Sequence, residues 1–375
     1  MKVTSAVLRR TGADRPYAET QPLEIAELEL DPPGPGELLV RVGAAGLCHS
    51  DLSVIDGSRP RPLPMALGHE AAGEVIETGA GVSGFAPEDH VVLAFVPACG
   101  ECEPCRMGRP ALCEPGAAAN AAGTLLGGGR RLRDAAGSPI NHHLGVSALS
   151  DHIVVSERSA VKVDPELPYE IAALFGCAVL TGVGAAVNAA RIEPGQRVAV
   201  FGLGGVGLSA LLGAVLSEAG TIVAVDVVAA KLELARELGA TDTVAAGPGA
   251  VAAIREITGG GADHAIETVG SAAVLADAYA ATRRGGATTT VGLPDPGETL
   301  AIAAVSLAAE ERTLRGSYLG SSVPERDLPR FIDLYRQGRL DVDRLLTHRL
   351  ALDDVNAGFD RLASGAAVRQ AVVFG

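Results

Sequence analysis

The sequence predicts an α/β protein built from a β-rich part and a doubly wound parallel sheet, and three observations carry the prediction. At 375 residues the chain is long enough for roughly two domains, each with its own core. Up to Cys177 it breaks into short β-branched runs separated by Pro/Gly turns. From Ala178 onward, strand-like segments alternate with helix-like ones, the pattern of right-handed βαβ crossovers and a sheet covered on both faces.

Taken in order, ELLVRVGAAGL, AAGEVIETG and DHVVLAFV are strands of the first part, and PPGPGE is a turn between such runs. The Gly/Ala-rich stretch Gly116–Gly129 reads as a loop. In the second part RVAVFGLGG precedes the helical VGLSALLGAVLSEAG, TIVAVDV precedes AAKLELARELGA, and DHAIETVG precedes SAAVLADAYAATRRGG, with ATTTVGL after it. PERDLPRFIDLYRQG is a helix, and QAVVFG is a last strand returning to the first domain. Residues 1–178 and 319–375 then form one domain and 179–318 the other. Val198–Ser217 carries no charge and is long enough to cross a bilayer, but Gly202, Gly204, Gly205 and Gly207 divide it into strand, turn and helix. The N-terminal MKVTSAVLRRTGADR has no apolar run of the signal-peptide kind, which predicts a cytoplasmic protein.

With 45 acidic residues against 31 basic ones the net charge is -14, which repels phosphate backbones and anionic lipid alike and argues against nucleic-acid and membrane partners. A hydrophobic share of 47% with 20% charged residues is that of a folded globular chain. In a reducing compartment six cysteines, at 48, 99, 102, 105, 113 and 177, point to metal rather than to disulfides.

Three constellations carry chemistry. Cys99, Cys102, Cys105 and Cys113 have the short spacing with which one loop wraps a tetrahedral zinc ion, leaving no open position. A redox pair or unconnected thiols is the other reading of these four. The second set is dispersed: Cys48-His49-Ser50-Asp51, Gly68-His69-Glu70, and Cys177. Two Cys and one His make a known catalytic zinc set, although each piece alone also fits a loop histidine or a core cysteine. The third is Gly202-Leu203-Gly204-Gly205-Val206-Gly207, a G-x-G-x-x-G between a predicted strand and a predicted helix, whose free N–H groups suit a pyrophosphate. Asp226 ends the next predicted strand, where a carboxylate accepts hydrogen bonds from a ribose.

Together these motifs resemble the zinc-dependent medium-chain alcohol dehydrogenases over nearly the whole chain. NHHLGVSALSDHIVV, GCAVLTGVGAAV, VFGLGGVGLS and GFDRLASGAAVRQAVVF are similar to the longer liver-type and glutathione-dependent formaldehyde dehydrogenase branch. The resemblance implies a GroES-like catalytic domain over 1–178 and 319–375 with a structural zinc lobe at 97–115, and a Rossmann domain binding NAD over 179–318. It implies two zinc ions per chain, the catalytic one on Cys48, His69 and Cys177 with Glu70 close by and Asp51 orienting His69. Ser50 would relay a proton, and His49 would contact the cofactor pyrophosphate. Thr181 and Val206 would press on the nicotinamide, with Lys231 and Arg369 as further cofactor contacts. Phe95, Leu144, Leu293 and Tyr318 would line an apolar substrate pocket. The activity implied is reversible hydride transfer between a primary or secondary alcohol, aromatic ones included, and NAD. A homodimer is implied by the insertion after the lobe, with the strand expected in GETLAIAAV pairing across a two-fold axis.

The chain departs from that pattern at three places. Glu114-Pro115-Gly116-Ala117 lacks the arginine that holds a glutathione adduct, Ser53 stands where liver-type enzymes place a proton-passing histidine, and His143 replaces an aromatic pocket residue. His90, His142, His152, His264 and His348 are read as structural or surface residues. Two other functions are weighed: a formaldehyde dehydrogenase acting on thiol adducts, and a non-enzymatic zinc- and nucleotide-binding protein, against which the intact Cys48, His69, Cys177 and Ser50 argue.

Overall fold

The computed structural model describes residues 1–375, which divide into two compact units. The first holds Met1–Cys177, Val323–Pro329 and Leu346–Gly375, and the second Ala178–Ser322 and Arg330–Leu345. Ala178 and residues 319–322 and 330–345, which the sequence assigns to the first domain, therefore group with the second. The reason is local burial: Leu340, Val342 and Leu345 are fully buried, and Leu334 lines one cavity with Ile192 and Leu216.

In the first unit the strands are β1 (Lys2–Leu8), β2 (Leu23–Leu30), β3 (Glu37–Gly46), β4 (Met65–Ala66), β5 (Glu70–Thr78), β6 (His90–Leu93), β7 (Leu132–Arg133), β8 (Pro139–His142), β9 (His152–Ser156) and β10 (Ala160–Lys162). A small barrel closes in the order β1-β2-β7-β8-β4. Its interior is filled by the inward members of each alternation, among them Val3, Val7, Leu28, Leu30, Leu132 and Ile140. β3 is the trunk of the second sheet and pairs with both β5 and β9, while Leu38, Val40, Val42, Val75 and Val91 form its core. Gly116–Gly129, expected as a loop, begins inside a helix, Glu114–Ala122. Cys113 Sγ accepts from Gly116 N at the start of that helix and Gly123, at φ +67°, ends it, so local capping outweighs the Gly/Ala composition.

The second unit carries β11 (Arg197–Phe201), β12 (Thr221–Asp226), β13 (Asp242–Ala245), β14 (Ala262–Glu267), β15 (Thr282–Thr290) and β16 (Thr313–Gly316) in one parallel sheet ordered β13-β12-β11-β14-β15-β16. Val198, Ala199, Val200 and Phe201 are all buried, as a strand covered on both faces requires. The chain runs from β11 outward to β13, then returns to β14 on the other side, which sets the topological switch point between β11 and β14. Val198–Ser217 resolves into β11, a turn and the helix Gly205–Leu216. GETLAIAAV forms no strand: it is irregular up to the helix Ala304–Ala309. One helical run, Tyr169–Ala190, is long and apolar enough to cross a membrane, and 89% of its most apolar window is buried inside the protein. The chain then returns to the first unit through β17 (Leu346–Leu350) and β18 (Arg369–Val373), the latter antiparallel to β3, as QAVVFG predicted.

Candidate active site

The lobe cysteines converge: the sulfurs of Cys99, Cys102, Cys105 and Cys113 all lie within 4.8 Å of one another. Cys102 Sγ and Cys113 Sγ are 3.9 Å apart. Four zinc–sulfur bonds of ~2.3 Å in a tetrahedron require ~3.8 Å between sulfurs, so the geometry fits the ion. Backbone N–H groups are already aimed at these sulfurs, from Cys102 and Glu101 onto Cys99 at 3.3 and 3.4 Å, and from Cys99 and Gly116 onto Cys113 at 3.2 and 3.4 Å. The first pair brings the Cys99 thiol down to about 7, whereas burial pushes Cys105 up to about 12.

The dispersed set converges as well. Cys48 precedes the helix His49–Ile55, His69 sits at the mouth of β5, and Cys177 comes from a π-helical turn, Phe175–Val179. Gly68, at φ +92°, turns His69 inward, and the Leu149 backbone occupies the space where a side chain at 68 would go. Cys48 Sγ, Cys177 Sγ, a His69 ring nitrogen and a Glu70 oxygen lie within 4.8 Å of one another, and all four residues are buried. Glu70 Oε1 has no hydrogen-bond partner and lies 3.8 Å from His69 Nε2. An orphaned carboxylate oxygen beside two thiols and an imidazole is a donor set that fits zinc. The Cys177 hydrogen bond holds the Cys48 thiol well below the usual thiol range, so Cys48 ionises first of the pair. Glu70 also pairs with the buried Arg369, and burial pushes Glu70 up to about 7 against that pull.

Behind the cluster, Asp51 is fully buried and holds two imidazoles. His69 Nδ1 stands 3.1 Å from Oδ2, His143 Nδ1 stands 3.0 Å from Oδ1, and Gly68 N donates to Oδ1 at 3.0 Å. Burial opposes its charge, yet the two imidazoles hold the Asp51 carboxyl below the ordinary carboxylate range. His69 is boxed edge-on by Phe95 at 5.4 Å and by His143 at 5.5 Å between ring centroids. Thus Asp51 takes the orienting position expected of it, and His143, whose role the sequence did not reveal, turns out to be its second partner. The signal for that partnership, two adjacent histidines in NHHLG, does not say which of them faces Asp51.

In the second unit Gly202, at φ +87°, opens the turn after β11, and Gly207 packs directly on the Gly202 carbonyl, leaving no room for a side chain. Gly204 precedes the helix Gly205–Leu216, whose first turn has no side-chain cap, so its N–H groups stay available to a phosphate. Asp226 ends β12 with Oδ2 accepting from Leu203 N at 2.6 Å and Oδ1 from Val228 N at 2.8 Å. The Gly182 backbone packs on Val206, which brings Thr181 beside it, with Thr181 Oγ1 buried and unbonded. His49 is exposed, Ser50, Lys231 and Tyr318 are partly buried, Leu144 is buried and Leu293 is 47% exposed. Thr268, absent from the sequence reading, donates its hydroxyl to Phe201 O and Gly202 O at 3.0 and 2.9 Å and so ties β14 to the glycine turn.

The family model described as an alcohol dehydrogenase GroES-like domain matches residues 34–168, and that of a zinc-binding dehydrogenase matches residues 205–337. An NDMA-dependent alcohol dehydrogenase of Amycolatopsis methanolica is 38% identical, covering 100% of this chain and 99% of its own. An S-(hydroxymethyl)glutathione dehydrogenase of Escherichia coli is 36% identical over 95% of this chain and 97% of its own. The crystal structure of a benzyl alcohol dehydrogenase from Acinetobacter calcoaceticus superposes with a TM-score of 0.92 at 34% identity, covering 100% of both chains. The chain belongs to the zinc-binding medium-chain alcohol dehydrogenases. It is an oxidoreductase.

Proposed function

We propose that this protein oxidises primary and secondary alcohols, aromatic ones included, with NAD as hydride acceptor, and catalyses the reverse reduction. The observation that carries the reading is the buried convergence of Cys48, His69 and Cys177 with the unbonded Glu70 Oε1. The similarity to a benzyl alcohol dehydrogenase supports the aromatic substrates. Cys48, His69 and Cys177 would hold the catalytic zinc, and Cys99, Cys102, Cys105 and Cys113 a second, structural one. Zinc in the first site supplies a Lewis acid that makes an alcohol hydroxyl easier to deprotonate.

The chain's own residues do the rest. Asp51 keeps His69 in one ring orientation, the task of an outer carboxylate. Ser50 passes the substrate proton to the cofactor ribose, since a hydroxyl both accepts and donates. Ser53, whose hydroxyl donates to His49 O at 2.9 Å, cannot store that proton next because a serine does not titrate near neutral pH. Solvent water or another base completes the exit. The free N–H groups of Gly204, Gly205 and the first helical turn hold the pyrophosphate, with His49 and Arg369 as further contacts and Thr181 and Val206 behind the nicotinamide. Phe95, Leu144, Leu293 and Tyr318 select substrates by shape.

Asp226 favours NAD over NADP, because a 2′-phosphate would meet its like charge and Val227-Val228-Ala229-Ala230 supplies no arginine, leaving Lys231 for the ribose hydroxyls. The same reading takes the protein as a homodimer, supported by the exposed Val305 and Leu307 on the helix that replaces the expected strand. A screen of NADH formation over primary, secondary, aromatic and polyol alcohols tests the activity, and zinc-loaded protein inactive on every one of them would overturn it. Equal or better kcat/KM with NADP⁺ would overturn the cofactor preference. The second reading, oxidation of thiol adducts of formaldehyde, rests on the relative named S-(hydroxymethyl)glutathione dehydrogenase and is set against the missing arginine at 114–117. Formaldehyde-dependent NADH formation that requires an added thiol would establish it.

A further inference from the structure

Glu267 ends β14, and its carboxylate is 1% exposed with no cation beside it. A buried charge of this kind persists only where donors replace its water. Three do so. Oε1 accepts from Val269 N at 2.7 Å and from Gly270 N at 2.6 Å, while Oε2 accepts from the Thr290 hydroxyl at 2.7 Å. The first two bonds fold the residues after β14 into a tight turn, and the third ties that turn to the end of β15.

The two strand ends then interlock backbone to backbone. A Cβ on Gly292 would lie 2.8 Å from Glu267 Oε2 and would strike the Gly270 backbone, and one on Gly270, at φ +80°, would lie 2.8 Å from Leu293 N. The turn also abuts the glycine-rich loop, because a Cβ on Gly202 would meet Val269 Cγ2 at 2.6 Å. Val269 and Leu293 are left as exposed apolar side chains at the carboxyl end of the sheet. In an open parallel sheet a dinucleotide lies across the carboxyl ends of the strands at the switch point, one nucleotide to each side. Here Asp226 and the glycine turn serve the adenosine half on the β11–β12 side, and the surface built around Glu267 is on the β14–β15 side.

We propose that Glu267 is a positioning residue for the cofactor: it locks Thr268–Gly270 and Val291–Leu293 into the single surface on which the nicotinamide half rests. The inference depends on the nicotinamide cofactor reading above. Its test is calorimetric binding of NAD⁺ and of ADP to the full-length protein and to Glu267→Ala, Glu267→Gln and Thr290→Val. Glu267→Ala should weaken NAD⁺ roughly tenfold or more and ADP distinctly less, since the nicotinamide side loses its support directly while the glycine turn, held also by Thr268, loses only the fixed position of Val269. Glu267→Gln should restore most of the NAD⁺ affinity, because its carbonyl oxygen still accepts from both backbone N–H groups and its amide can donate to Thr290. Thr290→Val, which deletes one bond and no charge, should show a smaller loss with the same selectivity and stands in if the alanine variant fails to fold. Equal weakening of NAD⁺ and ADP, an unchanged NAD⁺ affinity, or a glutamine variant no better than alanine would each overturn the proposal. A parent protein binding neither ligand would instead refute the cofactor reading itself.

Discussion

Asp51 Oδ1 accepts from Gly68 N at 3.0 Å and pairs with His69 Nδ1 at 3.2 Å, while His143 Nδ1 stands 3.0 Å from the same oxygen, so its carboxylate serves to orient the imidazoles. Asp51→Asn would turn an NH₂ group toward one of the imidazole N–H groups, and it should loosen His69 enough to cost about ten- to hundredfold in zinc retention. Zinc content after dialysis against a graded chelator reads this directly, and retention equal to the parent would show that Asp51 does not hold His69. Ser50→Ala is expected to behave oppositely, keeping its zinc while kcat falls by ~10²–10⁴, the usual cost of a lost proton-transfer group. A Ser50→Ala enzyme with parental kcat would remove Ser50 from the proton's path. At this scale the sequence disclosed the residues whose chemistry is rare, such as Cys48, His69 and Cys177. It did not disclose His143 as a partner of Asp51, because that contact depends on which side of the β8 end each of two adjacent histidines faces. Nor did it mark Glu267, whose carboxylate looks like any polar residue closing a strand.

Elements show the same division between local and distant causes. Strands β11, β12 and β14 and the helices after β11 and β12 were legible from periodicity, since each buries a regular pattern. The π-helical turns Phe175–Val179 and Ala185–Ala190 were not, because one residue more per turn leaves no mark in an all-apolar run. GETLAIAAV, read as a strand, is irregular and runs into the helix Ala304–Ala309. The zinc lobe has little core of its own, as only Ala111 and Cys113 among residues 99–113 are buried. In the proposed reading the ion supplies its order. Cys102→Ser is expected to lower Tm by roughly 5–10 °C and to remove one of two zinc ions. Cys177→Ser should also lose one zinc but should abolish turnover with Tm nearly unchanged, because its turn, Phe175–Val179, is buried throughout. Thermal scans paired with metal analysis separate the two, and equal Tm losses for both would show that the sites have no division of labour.

For the whole molecule, two units with a chain that leaves and returns were legible from composition and from QAVVFG, whereas the allegiance of residues 330–345 follows the burial of Leu340, Val342 and Leu345. Acid stability is the property that draws on both units. In the second unit Asp263, on β14, is hydrogen-bonded by Arg197 at 2.9 Å and by Arg283, and these bonds hold it well below the carboxylate range although burial opposes them. Its contribution is present above the unfolded value of ~3.9 and is lost only as pH falls below that. In the first unit His142 is fully buried, and its Nε2 must be unprotonated because it accepts from Arg131 N at 3.0 Å. Burial drives its pKa down to about 3. An unfolded histidine binds a proton near ~6.5, so between those two values the unfolded chain holds the extra proton, and stability falls as pH falls. The loss attributable to this one side chain has a slope of at most about 1.4 kcal/mol per pH unit. Gln at 142 offers a neutral oxygen to the same Arg131 N–H and cannot titrate. Urea midpoints measured from pH 7 to pH 4 should therefore decline less steeply for His142→Gln than for the parent, the two curves converging as acid removes the parent's advantage. Parallel curves across that range would mean that His142 does not enter the fold as the neutral acceptor that its bond to Arg131 requires.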